Sequence, residues 1–71
     1  MSSSQARQIA IEAFRRETAN KIRSYSVKMT TDSDEYWEFF IQGTGKYARP
    51  GYHWIVKVKK VGGVPEVISG E

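Results

Sequence analysis

The sequence predicts an α+β domain in which one N-terminal amphipathic helix packs on an antiparallel sheet of three to four strands, in the order α-β-β-β-β. Three observations support this prediction: a helical apolar stripe near the start, a two-residue alternation through the rest of the chain, and turn-forming residues between the alternating segments. A chain of 71 residues has room for one domain, so we expect residues 1–71 to form a single unit.

The helix is predicted over about residues 4–20. Its apolar side chains recur at the spacing that places them on one helix face, namely at Ala6, Ile9, Ala10, Ala13 and Phe14. The serines at positions 2–4 can accept a hydrogen bond from a free backbone amide at the helix start. Thr18 and Asn20 are weak helix formers, and we therefore expect the helix to end near them.

The first two strands are predicted over about residues 24–31 and 35–42, joined by a turn of short polar residues. In the first strand, Tyr25, Val27 and Met29 alternate with polar residues, as in a half-buried strand. The second strand carries Trp37, Phe39 and Ile41 on one face and Tyr36, Glu38 and Phe40 on the other. Aromatic side chains on both faces predict a central strand whose second side is partly covered.

The last two strands are predicted over about residues 52–61 and 64–68. The former has Tyr52, Trp54, Val56 and Val58 facing inward and His53, Lys57 and Lys59 facing outward. Gly62 and Gly63 between them predict a two-residue hairpin turn, because such turns need positive φ. Pro65 cannot donate a ladder hydrogen bond, so the last strand is expected at a sheet edge.

The composition excludes several kinds of site. The chain has no cysteine and one histidine, which rules out a disulfide framework, a thiolate metal site and a multi-histidine metal site. No apolar run approaches the ~18 residues that a membrane span needs. Residues 1–5 lack the basic and apolar regions of a signal peptide, so we expect a cytoplasmic location without membrane contact.

Three features only partly resemble a chemical site. The Gly-Thr-Gly-Lys segment at residues 43–46 is followed by Tyr47, where a phosphate loop needs Ser or Thr, and by no helix. The acids at residues 32–35 lack the glycine and the distal glutamate of a calcium loop. His53 beside a carboxylate could act as an acid–base pair, but the loose spacing favours a surface histidine. We therefore predict no metal, no cofactor and no catalytic residue.

One set of residues mixes cations with aromatic rings and is the candidate partner-binding surface: Lys46, Tyr47, Arg49, Tyr52, His53, Lys57 and Lys59. Such a mixture can stack bases and hold phosphates. Lysines on edge strands also serve to block aggregation, and no ribonucleoprotein-type aromatic signature is present. The sequence therefore favours solvated surface lysines, and the nucleic-acid interpretation is the alternative.

The formal net charge of +3 is unevenly distributed along the chain. Residues 1–30 carry six Lys or Arg against two Glu, residues 31–45 carry four acids and no base, and residues 46–71 carry five bases against two Glu. If the protein is a nucleic-acid-binding module, the candidate phosphate contacts are Arg7, Arg15, Arg16, Lys57 and Lys59. The acidic middle segment argues against a continuous basic surface.

The helix stripe, the Tyr-Trp-Glu-Phe segment at 36–39, the His-Trp-Ile-Val-Lys-Val segment at 53–58 and Gly62-Gly63-Val64 resemble two related types of protein. These are the PepSY-type domains and the small bacterial immunity proteins with an NTF2-like fold. The resemblance implies a helix against a curved antiparallel sheet and binding to another protein in place of catalysis. PepSY domains are commonly exported, whereas this chain shows no export signal.

We therefore expect a small non-enzymatic protein-binding module of bacterial or phage type, with an accessory or inhibitory, immunity-like role. Its contact surface would be the sheet face or the loop at residues 43–51. The alternative is a nucleic-acid-binding module that uses a basic and aromatic surface.

Overall fold

One helix and four antiparallel strands make up the fold, as the sequence predicts. The computed structural model describes residues 2–49 and 51–69. The elements are helix α1 at Ser3–Glu17 and strands β1 at Tyr25–Asp32, β2 at Tyr36–Gly43, β3 at His53–Lys59 and β4 at Pro65–Ser69. The strands form one sheet in the order β1-β2-β3-β4, with antiparallel pairing throughout. The predicted α-β-β-β-β order is confirmed, and the sheet has four strands.

The start of α1 is fixed by a capping box. The Oγ of Ser2 accepts a hydrogen bond from the backbone N–H of Gln5 at 3.3 Å, and the Oε1 of Gln5 accepts one from the backbone N–H of Ser2 at 2.8 Å. The predicted apolar stripe is the buried face of the helix, with Ala6, Ala10, Ala13 and Phe14 buried and Ile9 partly buried.

The helix ends three residues before the predicted end, in a Schellman motif. The N–H of Ala19 donates to the carbonyl of Arg16 at 3.2 Å, and the N–H of Asn20 donates to the carbonyl of Arg15 at 2.9 Å. Both Ala19 and Asn20 lie in the left-handed region, with φ of 54° and 59°. Because this backbone cannot continue a right-handed helix, α1 stops at Glu17.

The core lies between α1 and the inner face of the sheet, where the helix packs mainly on β2, β3 and β4. The buried strand side chains are Trp37, Phe39 and Ile41 from β2 and Trp54, Val56 and Val58 from β3. Phe14 is fully buried, and its ring meets the rings of Tyr25 and Trp54 edge-on, with each pair of centroids 4.9 Å apart. The predicted inward set is therefore confirmed except for Tyr52, which precedes β3 and is 37% exposed.

Strand β1 contains a β-bulge that the alternation does not reveal. The register passes from Met29 opposite Phe39 to Thr31 opposite Glu38, which leaves Thr30 as the extra residue. The hydroxyl of Thr30 donates to the backbone carbonyl of Glu38 at 3.3 Å. Met29, which was predicted on the half-buried face, lies on this edge strand beyond the main helix contact and is 40% exposed.

The β3–β4 connection is a four-residue loop, so the predicted two-residue turn is wrong in length. The N–H of Lys59 donates to the carbonyl of Val64 at 3.1 Å, and this bond closes the loop formed by residues 60–63. The N–H of Gly63 donates back to the carbonyl of Lys59 at 3.0 Å. The predicted positive φ is confirmed at both Gly62 and Gly63, with values of 90° and 66°.

The third strand stops early because Lys60 is held against the β1–β2 turn. Its backbone N–H donates to the carbonyl of Glu35 at 2.9 Å, and its Nζ lies 2.6 Å from Oδ1 of Asp32. The same Nζ lies 4.7 Å from the centroid of the Trp37 ring. Val61, predicted as the end of the strand, is consequently directed away from the sheet and is 89% exposed.

Candidate functional site

The structure places the predicted partner-binding residues in two separate areas. His53, Lys57 and Lys59 lie on the sheet face that points away from α1, which we call the outer face. The other members belong to the β2–β3 connection at one end of the sheet, and they are Lys46, Tyr47, Arg49 and Tyr52. The predicted set therefore does not form one continuous surface.

An apolar strip crosses the centre of the outer face. Phe40 on β2 is directly opposite Ile55 on β3, and Ile55 is directly opposite Ile68 on β4. The ring of Phe40 also stacks on the imidazole of His53, with centroids 5.6 Å apart and an angle of 25° between the planes. Ile68 is 44% exposed. Since α1 packs on the other face, Phe40, Ile55 and Ile68 form a strip that no helix covers, and His53 borders it.

Beside the apolar strip runs a row of alternating charges. Glu38, Lys57 and Glu66 are directly opposite one another on β2, β3 and β4. Opposite charges at such cross-strand positions attract each other and stabilise the sheet. The Nζ of Lys57 also lies 5.2 Å from the centroid of the Tyr36 ring. Lys57 is therefore flanked by two acids, and it is a poorer candidate for a phosphate contact than a cation without acidic neighbours.

The loop between β2 and β3 folds back onto the end of β2 as a 3₁₀ helix at Gly45–Tyr47. A Cβ added at Gly43 would overlap the backbone carbonyl oxygen of Tyr47 and lie 2.9 Å from its Cβ. The N–H of Gly43 donates to the carbonyl of Tyr52 at 2.9 Å, which closes the loop. Only glycine fits position 43, a requirement that the sequence pattern does not reveal.

Stacked rings connect this loop to the core. The rings of Tyr47 and Tyr52 are nearly parallel, with centroids 6.4 Å apart, and the ring of Tyr52 is 6.3 Å from that of Trp54. The Nζ of Lys46 lies 5.3 Å from the centroid of the Tyr47 ring. The two tyrosines therefore position the loop, and the partial exposure of Tyr52 leaves ring surface available to a ligand.

Cations from two distant parts of the chain meet at this end of the domain. The backbone N–H of Thr44 donates to the carbonyl of Ser24 at 2.9 Å, and their hydroxyl oxygens are 2.6 Å apart. These bonds join the segment after α1 to the β2–β3 loop. We call the resulting surface the basic end, and its cations are Arg15, Arg16, Lys21, Arg23, Lys46 and Arg49.

Sequence reasoning did not include Lys21 and Arg23 among the candidate residues, because more than 20 positions separate them from the β2–β3 loop. Only the pairing of the start of β1 with the end of β2 brings them together, with Tyr25 opposite Gly43. That antiparallel pairing was predicted, and it is the signal that could have located the basic end.

Three of the four acids of residues 31–45 lie at the opposite end of the sheet, around the β1–β2 turn, and the fourth, Glu38, lies within β2 on the outer face. At the turn, Asp32 is paired with Lys60, and Asp34 and Glu35 are exposed. The acids of this turn therefore do not interrupt the basic end. Within residues 2–49 and 51–69, no three His, Asp or Glu side chains are grouped so that they could hold a metal ion.

Comparison with known proteins adds no relative. No protein-family model matches the sequence, and no curated protein and no solved structure matches it. The resemblance to PepSY-type domains and bacterial immunity proteins thus stays a prediction. In the described part of the chain, no helix has the length and apolar character needed to cross a membrane.

Proposed function

We propose that the protein is a small non-enzymatic binding module whose outer face docks on another protein. The observation that supports this proposal most strongly is the uncovered strip of Phe40, Ile55 and Ile68. The solvated face of an antiparallel sheet normally carries polar side chains. An apolar strip across three strands of such a face is typical of an interaction surface.

Charge on the outer face indicates the chemistry of the partner. Glu38 and Glu66 flank Lys57 in one cross-strand row, so the charges of these three residues partly offset one another. Lys28, opposite Phe40, and Lys59, opposite Tyr36, are exposed. A protein surface with an apolar centre and an acidic rim would complement this arrangement. The role we assign is accessory or inhibitory, as in the immunity proteins that the sequence resembles.

The domain is large enough for such an interface. Its accessible surface is 4777 Å². A stable protein–protein interface takes about 800 Å² from each partner, or about a sixth of this surface. The outer face is one of the two broad sides of the sheet, and the partner can therefore dock without displacing α1.

The test compares Ile55→Asp with Val61→Asp. Ile55 is half-buried in the middle of the apolar strip, whereas Val61 is 89% exposed in the β3–β4 loop, so the two variants carry the same new charge inside and outside the proposed interface. Tryptophan fluorescence checks that Ile55→Asp is folded. Each protein is used for affinity capture from the source cells, the captured protein is identified, and the purified pair is measured by calorimetry.

We expect one identified partner to bind the wild type and Val61→Asp with equal affinity. Ile55→Asp should weaken binding by about thirty-fold or more, the effect of a central interface residue worth ~2 kcal/mol. Equal binding by Ile55→Asp, or the lack of any reproducible protein partner, would refute the proposal.

A further inference from the structure

We propose that the basic end is a second binding site, which takes the phosphate backbone of a single-stranded nucleic acid. This site shares no residue with the apolar strip, and the inference therefore does not depend on the proposed protein partner.

The cations of the basic end follow one another from the helix to the sheet. An open depression after α1 is lined by Arg15, Asn20, Arg23 and others. The bonds between Ser24 and Thr44 join this depression to the loop that carries Lys46. On the far side of the loop, a second depression is lined by residues that include Arg49 and His53.

The dimensions of the domain suit a short stretch of strand. The two shorter extents are 20 Å and 18 Å. Successive phosphates of a stacked strand are ~3.4 Å apart along the axis. The basic end can therefore span about five phosphates, which is close to its number of cations.

None of these cations forms an ion pair with an acid in the described part of the chain. Glu12 lines a depression with Arg15 and Arg16, so the lack of an acidic neighbour is clearest for Arg23, Lys46 and Arg49. The one ion pair found there joins Lys60 to Asp32 at the opposite end of the sheet. The carbonyl end of α1 favours positive charge and so accounts for Arg15 and Arg16. It does not account for Arg23, nor for the cations of the loop, which lie beyond the last turn of the helix.

Aromatic and polar groups among the cations favour a nucleic acid over an acidic protein. Tyr25 lines the first depression, and Tyr52 exposes part of a ring that already stacks on Tyr47. Aromatic faces of this kind can stack unpaired bases, while guanidinium groups bind phosphate oxygens in pairs. Asn20 and Ser24 add short polar side chains beside the cations.

The test is fluorescence anisotropy with two labelled 12-nucleotide probes, oligo(dT) and oligo(U), at several NaCl concentrations. For a single strand, each neutralised phosphate contributes about −0.7 to the slope of log affinity against log salt. Four to five contacts predict a slope near −3 for the wild type. A duplex of the same length should bind more weakly, because its bases are not free to stack.

Matched double variants locate the site. Arg23→Ala with Lys46→Ala should weaken binding of both probes and reduce the slope by about 1.4. Lys57→Ala with Lys59→Ala removes the same charge from the outer face and should leave the slope unchanged. Native tryptophan fluorescence serves as the check that each variant is folded.

Three outcomes would overturn the proposal: no salt-dependent binding of either probe, equal losses in the two double variants, or equally effective competition by a 12-residue polyglutamate peptide. The last of these would identify the basic end as a surface for acidic peptides. Ile55→Asp should bind both probes like the wild type, so failure of this proposal can be distinguished from failure of the protein-binding proposal.

Discussion

Replacing Ala19 with glycine tests the backbone at the end of α1. Ala19 has a φ of 54° at the Schellman position where glycine is the usual residue. The left-handed conformation costs an L-residue about 1–2 kcal/mol, because its Cβ crowds the next carbonyl. Glycine removes this cost but loses about 0.4–1 kcal/mol more chain entropy on folding. The difference predicts that Ala19→Gly raises the free energy of unfolding by about 0.5–1 kcal/mol.

Urea unfolding followed by tryptophan fluorescence measures this change, since Trp37 and Trp54 are both buried in the core. The midpoint should rise while the slope against urea stays constant. In a thermal scan the same gain should raise Tm by about 2–8 °C. The control is Ala48→Gly, because Ala48 is exposed and has a φ of −81°. Ala48→Gly should lower the free energy of unfolding by about 0.4–1 kcal/mol. A loss of the same size in Ala19→Gly would refute the left-handed assignment.

Three further substitutions test the core and the turns. Trp54→Ala should lower the free energy of unfolding by about 3–5 kcal/mol, which is much of the ~4–10 kcal/mol expected for a domain of this size. A native melting point of this variant in circular dichroism would contradict the inward placement of Trp54. Gly43→Ala should lower the urea midpoint strongly because its Cβ overlaps Tyr47, and an unchanged midpoint would show that the loop does not fold back on β2. Gly62→Val and Gly63→Val should each lower the free energy of unfolding by more than about 1 kcal/mol, since both positions have positive φ. Melting temperatures equal to that of the wild type would disprove that geometry.

The order of elements was predictable because the periodicity of apolar residues is local information. The stripe from Ala6 to Phe14 and the alternation from Trp37 to Ile41 each report one buried face. The end of α1 was less accessible, because Ala19 adopts a conformation for which glycine is the expected signal. The length of the β3–β4 loop depends on contacts of Lys60 with a different turn, and these are tertiary.

The candidate site was predicted only in part, for a geometric reason. The predicted set joined neighbours in sequence, but alternate strand positions and loop positions point to different parts of the surface. Tyr52 and His53 are adjacent in the chain, yet Tyr52 stacks beside the core while His53 contacts Phe40 on the outer face. The apolar strip could have been found by pairing β2, β3 and β4 before choosing residues.

The strand order has a consequence for how the domain folds. Each strand of the sheet pairs with the next strand in sequence, so each pairing closes a short loop. Short loops cost little closure entropy, and topologies of this kind fold quickly for their size. The contact between α1 and β4 joins the two most distant elements of the chain. Docking of α1 is therefore the step with the largest loop-closure cost, and it is also the contact that covers the inner face of the sheet.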